Sequence, residues 1–461
     1  MSGRRRAGWA LCLLLGAAYA ASGEEPARVL FEVADEDLAA STSPAPVPLT
    51  EGSSGQVLLA PTTAAAAVLG TAISTPASAP GPLPAASTGQ ALRETGADKS
   101  TEAVGAPEPP REREEDAEEG ERVPVEDEAQ IREMLAASSE AVRAVHLTSW
   151  VAGAPKQRRA FLERLRGTVI NSVVVALKET DGRVYIPGVA QAHELGTYLP
   201  AITDPESMLK EMKARGLRVI GRIVVFKDNA LPRKRPDWAV KRPDGSLWRN
   251  ANGIAWVDPY RREIWDYNIA IALRAAHLGF DEIQFDYIRF PSDGNTRLCR
   301  YSRPDHSRRS AIWNLREFLR TADEKLEKTG VPVSAAVFGM TTTAKDDMGI
   351  GQEIEKMSSL VDYVSPMMYP SHYARGEYAL RYPNKEPYKV IHRGLRDARR
   401  RLRKDAFKLR PYLQDFSLGF HYGPAQVRAQ ILAAKAQGVM SWILWNPSNK
   451  YTWEALSPGR N

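Results

Sequence analysis

Cysteine is nearly absent. The 461-residue chain carries two, Cys12 and Cys299, and no C-x-x-C pair, which excludes a disulfide scaffold and a thiolate zinc site. Histidine is scarce as well. Seven are scattered along the chain, and His146 lacks the neighbouring histidine that a metal-dependent hydrolase barrel would place on its first strand, so it reads as a core residue. No glycine-rich turn follows the first apolar run, which removes the fingerprint of a dinucleotide fold. Neither metal nor organic cofactor is therefore expected. The apolar run Trp9–Ala18 is too short to cross a bilayer, which takes about 20 residues.

Charge is plentiful but unevenly placed. Residues 1–129 hold 9 basic and 21 acidic side chains, whereas residues 130–461 hold 53 and 35. Arg4, Arg5 and Arg6, the short apolar core and Ala18-Tyr19-Ala20 form the three parts of an export signal over residues 1–20. Its removal takes Cys12 away, and the expected location is periplasmic or extracellular. Residues 21–130 are rich in Ala, Pro, Ser and Thr without period, then strongly acidic from Arg111 to Glu128. This is the composition of a disordered linker.

From Ile131 onward short Val/Ile runs alternate with amphipathic stretches that end near glycine. Strands are expected at Ala144–Trp150, Asn171–Lys178, Leu217–Phe226, Phe280–Phe290, Val331–Phe338, Val361–Tyr369, Leu409–Phe416 and Val439–Trp445. Helices are expected between them. Continuous apolar strands separated by helices are the mark of parallel strands buried on both faces. Eight such units in residues 131–461 predict a (β/α)8 TIM barrel, with any chemistry at the C-terminal ends of the strands.

Those ends carry polar groups. The fourth run alternates Glu282, Gln284 and Asp286 against Ile283, Phe285 and Tyr287, and buried acids need partners. Asp286 comes last, with Arg289 three residues on. The second run ends at Lys178 and Glu179 before the turn Asp181-Gly182. The third contains Arg222 and ends at Lys227-Asp228. The sixth ends at Tyr369 and continues to His372, the seventh carries Gln414 and Asp415, and the eighth ends Trp445-Asn446. Tryptophan faces stack on sugar rings while acids, amides and Arg bind hydroxyls, so the set suits carbohydrate. Trp238, Trp248 and Trp256 in the insertion after the third run could extend a groove.

The segments FDEIQFDYIRFP, VSPMMYPSHY, LQDF and GVMSWILWNPSN resemble the glycoside hydrolase-like barrel domain of exported bacterial proteins over residues 143–455. A more distant similarity runs to chitinase-like family 18 enzymes. Asp281, Gln284 and Asp286 stand at the three Asp positions of their fourth-strand motif, and Ile288 stands where that motif has its catalytic Glu. Met367 and Tyr369 match their sixth strand, Pro370 replaces its Asp, and Trp445 matches the tryptophan under the sugar. The resemblance implies the architecture rather than the substrate-assisted mechanism.

Glycoside hydrolysis needs two carboxyl groups, one to donate a proton and one to act as nucleophile or base. Asp286 is the first candidate. Asp415 is favoured as the second over Glu179 and Asp228. Tyr369 is expected to hydrogen-bond near the reacting centre and Trp445 to support the ring. Lys178 and Arg289 would hold an anionic partner, with Arg222, Gln284, His372, Gln414 and Asn446 as further binding groups. The expected partner is a polysaccharide or envelope glycan, with electrostatic contact to an anionic envelope polymer. A barrel that binds carbohydrate without cleaving it is the alternative. The basic run Arg396–Lys404 comes without a base-reading motif, so nucleic acid is not expected.

Overall fold

The structure is a computed structural model and describes residues 141–457; the leader assigned to residues 1–20 and the linker assigned to 21–130 lie outside the described residues. Eight parallel strands close in chain order: β1 (Arg143–Leu147), β2 (Ser172–Lys178), β3 (Arg218–Val224), β4 (Glu282–Asp286), β5 (Val333–Phe338), β6 (Tyr363–Met368), β7 (Tyr412–Gln414) and β8 (Trp442–Trp445). β1 pairs with β2 on one side and β8 on the other, so the sheet has no free edge. This is the expected (β/α)8 barrel.

Strand alternation divides the apolar residues between two places. Val173, Val175 and Leu177 of β2 join the large cluster between sheet and helices. Val174 joins a smaller cluster with Ala144, Ile220, Ala336, Tyr412 and Ile443, which fills the lumen. The helix Arg262–Leu278 buries Ile264, Trp265, Ile271 and Ala275, and it ends where Gly279 takes φ 96°, a left-handed conformation that glycine adopts without steric cost.

Several expected boundaries shift for local reasons. β1 stops at Leu147 because the Thr148 side chain caps a short helix, Ser149–Gly153. β4 stops at Asp286 because Tyr287 takes φ 50°, which breaks the two-residue alternation. The three tryptophans of the insertion after β3 are all buried. Trp248 donates its indole N–H to the Asn295 carbonyl at 2.9 Å, so these residues stabilise the insertion and do not extend a groove.

Candidate active site

Three inward residues of β4 each meet a different layer of the lumen. Glu282, at the N-terminal end, is fully buried and receives Arg410 Nη2 at 2.5 Å, Arg218 Nη2 at 3.0 Å and Ser334 Oγ at 2.6 Å. Gln284, in the middle, accepts a hydrogen bond from the Tyr412 hydroxyl and donates to Ser365 Oγ at 3.3 Å. Asp286, at the C-terminal end, accepts from the Tyr287 amide at 2.6 Å and faces Arg222 of β3.

Arg222 is the hub. Its Nε donates to Asp286 Oδ2 at 2.8 Å and its Nη2 lies 2.6 Å from the same oxygen, while Nη1 reaches Glu179 Oε1 at 2.7 Å. Its guanidinium carbon lies 5.0 Å from the centroid of the Trp445 ring. Against that ring also sits the His146 imidazole, 4.1 Å between centroids, with its Nε2 3.7 Å from Glu179 Oε1. Around this group a pocket opens, lined by Glu179, Thr180, Arg222, Lys227, Asp286, Tyr287, Met367, Tyr369, Tyr412 and Trp445.

The charges are set by their neighbours. Burial by itself pushes the Glu179 carboxyl up, but Arg222 and His146 together outweigh it and hold the group at about 2. Burial lowers the His146 imidazole below its ordinary value, so the ring is neutral near pH 7. Burial also opposes the charge on Arg222, yet Glu179 and Asp286 raise its pKa well above the usual one. Burial raises the Tyr412 phenol, which stays protonated.

The loop that carries Glu179 is pinned against β3. Gly182 has φ 79°, and a Cβ there would stand 2.1 Å from Asp228 Oδ1, so the turn accepts only glycine. Asp228 caps the next segment by accepting from the amides of Ala230 and Leu231 at 2.9 and 2.8 Å, and it pairs with Lys178 at 2.8 Å.

Of the residues singled out in the sequence, Glu179, Arg222, Asp286, Tyr369 and Trp445 come together in the pocket. The others are placed elsewhere, with partners of their own. Asp415 accepts from the amide and hydroxyl of Thr452 at 2.9 and 2.6 Å, and the carboxyl that joins Asp286 in the lining is Glu179 instead. Lys178 is buried against Asp228 and the Val224 carbonyl, not turned to an anionic partner. Arg289 donates to Phe290 O and Ser292 Oγ. Gln414 takes the Ser371 amide at 3.0 Å and thereby holds the turn after Tyr369, on whose ring His372 packs edge-on at 5.3 Å. Asn446 builds its own turn with Ser448 and Lys450. Gln284 sits one layer below the pocket.

The sequence assigned no role in the site to Thr180, Tyr287, Tyr412 or His146, and it named Lys227 and Met367 without one. Tyr412 is an inward residue of a three-residue strand. Tyr287 reaches the lining because its positive φ breaks the alternation. Lys227, named in the sequence only as a strand end, lies 5.0 Å from the Tyr287 ring. His146 was read as core and proves to be the neighbour of Glu179. Ile288 belongs to the packing between sheet and helices, so it offers no carboxyl at the position where the chitinase-like motif has its Glu.

Three solved structures are similar to the chain to different degrees. A hypothetical protein from Ruminiclostridium thermocellum is 35% identical, covering 41% of this chain and 96% of its own, with a TM-score of 0.38. The glycoside hydrolase domain of PgaB (BpsB) from Bordetella bronchiseptica is 14% identical, covers 67% of this chain and 95% of its own, and gives a TM-score of 0.50; at that identity it supports the fold alone. The α-L-fucosidase isoenzyme 2 of Paenibacillus thiaminolyticus is 15% identical over 69% of this chain and 48% of its own, with a TM-score of 0.48. No curated protein matches the chain. Residues 144–451, spanning the strands from the second residue of β1 onward and every residue of the pocket, match the family described as "Putative glycosyl hydrolase domain", and the chain belongs to that family.

Proposed function

We propose that this barrel hydrolyses a glycosidic bond of an envelope or extracellular polysaccharide after export, with Glu179 and Asp286 as its two carboxyl groups. The observation that carries the reading is their convergence. Two carboxylates from different strands share one guanidinium beside a tryptophan, in a pocket at the C-terminal end of a barrel. Glu179, held at about 2, is ionised throughout the neutral range and takes the role of nucleophile or water-activating base. Asp286, a carboxylate while paired with Arg222, takes up a proton from solvent as that pair opens. It passes this proton to the leaving oxygen and regains one from solvent after the water has added. A glycosidic oxygen arriving at Asp286 displaces the Arg222 contact, and Arg222 turns wholly to Glu179. Trp445 supports the sugar ring, and the phenols of Tyr369 and Tyr412 supply hydrogen bonds to hydroxyls.

The test is release of reducing ends from a panel of bacterial envelope glycans. Asp286→Asn and Glu179→Gln should each lower turnover by about 100-fold or more while the far-ultraviolet circular dichroism stays unchanged. Turnover at the wild-type rate in either variant removes that residue from the mechanism. A second reading, carbohydrate binding without cleavage, draws on the way Arg222 neutralises both carboxylates. It predicts saturable glycan binding by the wild-type protein with no new reducing ends.

A further inference from the structure

The loops that follow β6 and β7 leave the barrel on the same face as the pocket, and they carry a second aromatic surface. Tyr382 is 47% exposed. Three exposed cations of the same loop gather around its ring: Arg375 at 5.8 Å, Arg381 at 5.3 Å and Lys385 at 5.3 Å from the centroid. Lys385 also lies 5.9 Å from the ring of Phe420, from the loop after β7. Among the described residues no carboxylate pairs with these three cations, and the neighbouring Glu386 is taken by Lys389 at 2.6 Å.

Long cationic side chains on a surface usually splay into water. Here three converge on one ring, at 5.3 to 5.8 Å from its centroid. Each cation–ring contact at an exposed site is worth about 0.5–1 kcal/mol, and mutual repulsion offsets part of it. An anion lying over the ring would remove that repulsion and meet three donors. The two loops are also fixed to each other. Asn384 donates its side-chain amide to the Leu418 carbonyl at 2.7 Å, and its own carbonyl accepts from the Tyr422 hydroxyl at 3.2 Å. Two residues before Leu418, Phe416 packs edge-on against Tyr369 of the pocket at 5.7 Å.

From this arrangement we infer that Tyr382, Arg375, Arg381 and Lys385 form a subsite for an acidic saccharide unit. The sugar face stacks on Tyr382, and its carboxylate or phosphate substituent is bound by the three cations. The inference rests on the glycoside hydrolase reading only in taking the same polymer to run on into the pocket; binding at the subsite needs no turnover.

Calorimetric titration of the full chain carrying Asp286→Asn separates the two claims. The probes are an oligogalacturonate, a phosphorylated mannan oligosaccharide, a neutral malto-oligosaccharide of equal length and a single-stranded DNA oligomer. At least one acidic saccharide should bind about tenfold more tightly than the neutral one, and which of them does so identifies carboxylate or phosphate. Tyr382→Ala, which alters no charge, should weaken that binding about fivefold, and Arg381→Gln with Lys385→Gln should abolish the preference for acidic sugar. Equal affinity for acidic and neutral probes overturns the inference. So does unchanged binding by Tyr382→Ala, the mark of diffuse attraction, or DNA binding as tight as the sugars. Acidic-sugar binding in a wild-type protein that releases no reducing ends would sink the hydrolase reading and leave the subsite standing.

Discussion

Glu179 and His146 show how two neighbouring groups can load the fold with a pH dependence. Burial of Glu179 would favour the neutral acid, yet Arg222 and His146 reverse that and bring it from 4.5 to about 2. A carboxyl depressed on folding contributes stability that is present above its unfolded value and lost as pH falls toward its folded one. For Glu179 that window runs from about pH 4.5 down to about pH 2. His146 acts in the same direction by a different cause, since burial, helped by the charge of Arg222, lowers it from 6.5 against the pull of Glu179 and Asp286. Below pH 6.5 the unfolded chain takes up a proton that the native ring refuses, so stability declines from that point. Urea midpoints measured between pH 8 and pH 3 should therefore fall in two stages, and His146→Asn should remove the upper one. A His146→Asn protein with the wild-type profile between pH 7 and pH 5 would show that the ring does not titrate in this way.

On the scale of one element, β4 shows what a strand can carry inside a barrel. Its three polar residues point into the lumen, and each is matched by side chains from strands remote in sequence. The fully buried Glu282–Arg410 pair at 2.5 Å is the clearest case. Removing one member of such a pair costs about 3–5 kcal/mol, because the other is left charged without water or partner. Arg410→Met should cost that much in urea unfolding, and Glu282→Leu with Arg410→Met should recover most of the loss, leaving only Arg218 and Ser334 to find new partners. A double variant as unstable as the single one would refute this assignment. The polar row itself could be read in the sequence, because alternation placed Glu282, Gln284 and Asp286 on one face. The partners could not, since Arg222 meets β4 through the register of neighbouring β3 and Arg410 reaches it across the lumen from beside β7, which no local pattern encodes. The same holds for the site. Asp286, Trp445 and Tyr369 were legible as strand ends. The placing of Glu179 rather than Asp415 in the lining depended on Thr452, which follows β8 and claims both oxygens of Asp415. Tyr287 was misassigned because a single positive φ overrides the period of two.

For the molecule as a whole, the eight strands were legible because a strand buried on both faces must be apolar nearly throughout, and each Val/Ile run between helices met that demand. Export is the part of the proposal that concerns the chain rather than the barrel, and its two cysteines offer a measurement of it. Cys299 is buried, and burial pushes its thiol up to about 12, so the native protein holds too little thiolate for reaction near pH 8. The proposed leader, residues 1–20, carries the only other cysteine, Cys12. Protein recovered from an expressing bacterium should thus show no fast-reacting thiol when native. In guanidinium it should release one thiol per chain if the leader has been removed and two if it has been retained. One thiol together with a mature N-terminus at Ala21 supports delivery across the membrane, where the envelope glycans are. Two thiols would mean that residues 1–20 stay attached, and the proposed site of action would have to be abandoned even if the barrel cleaved glycans in solution.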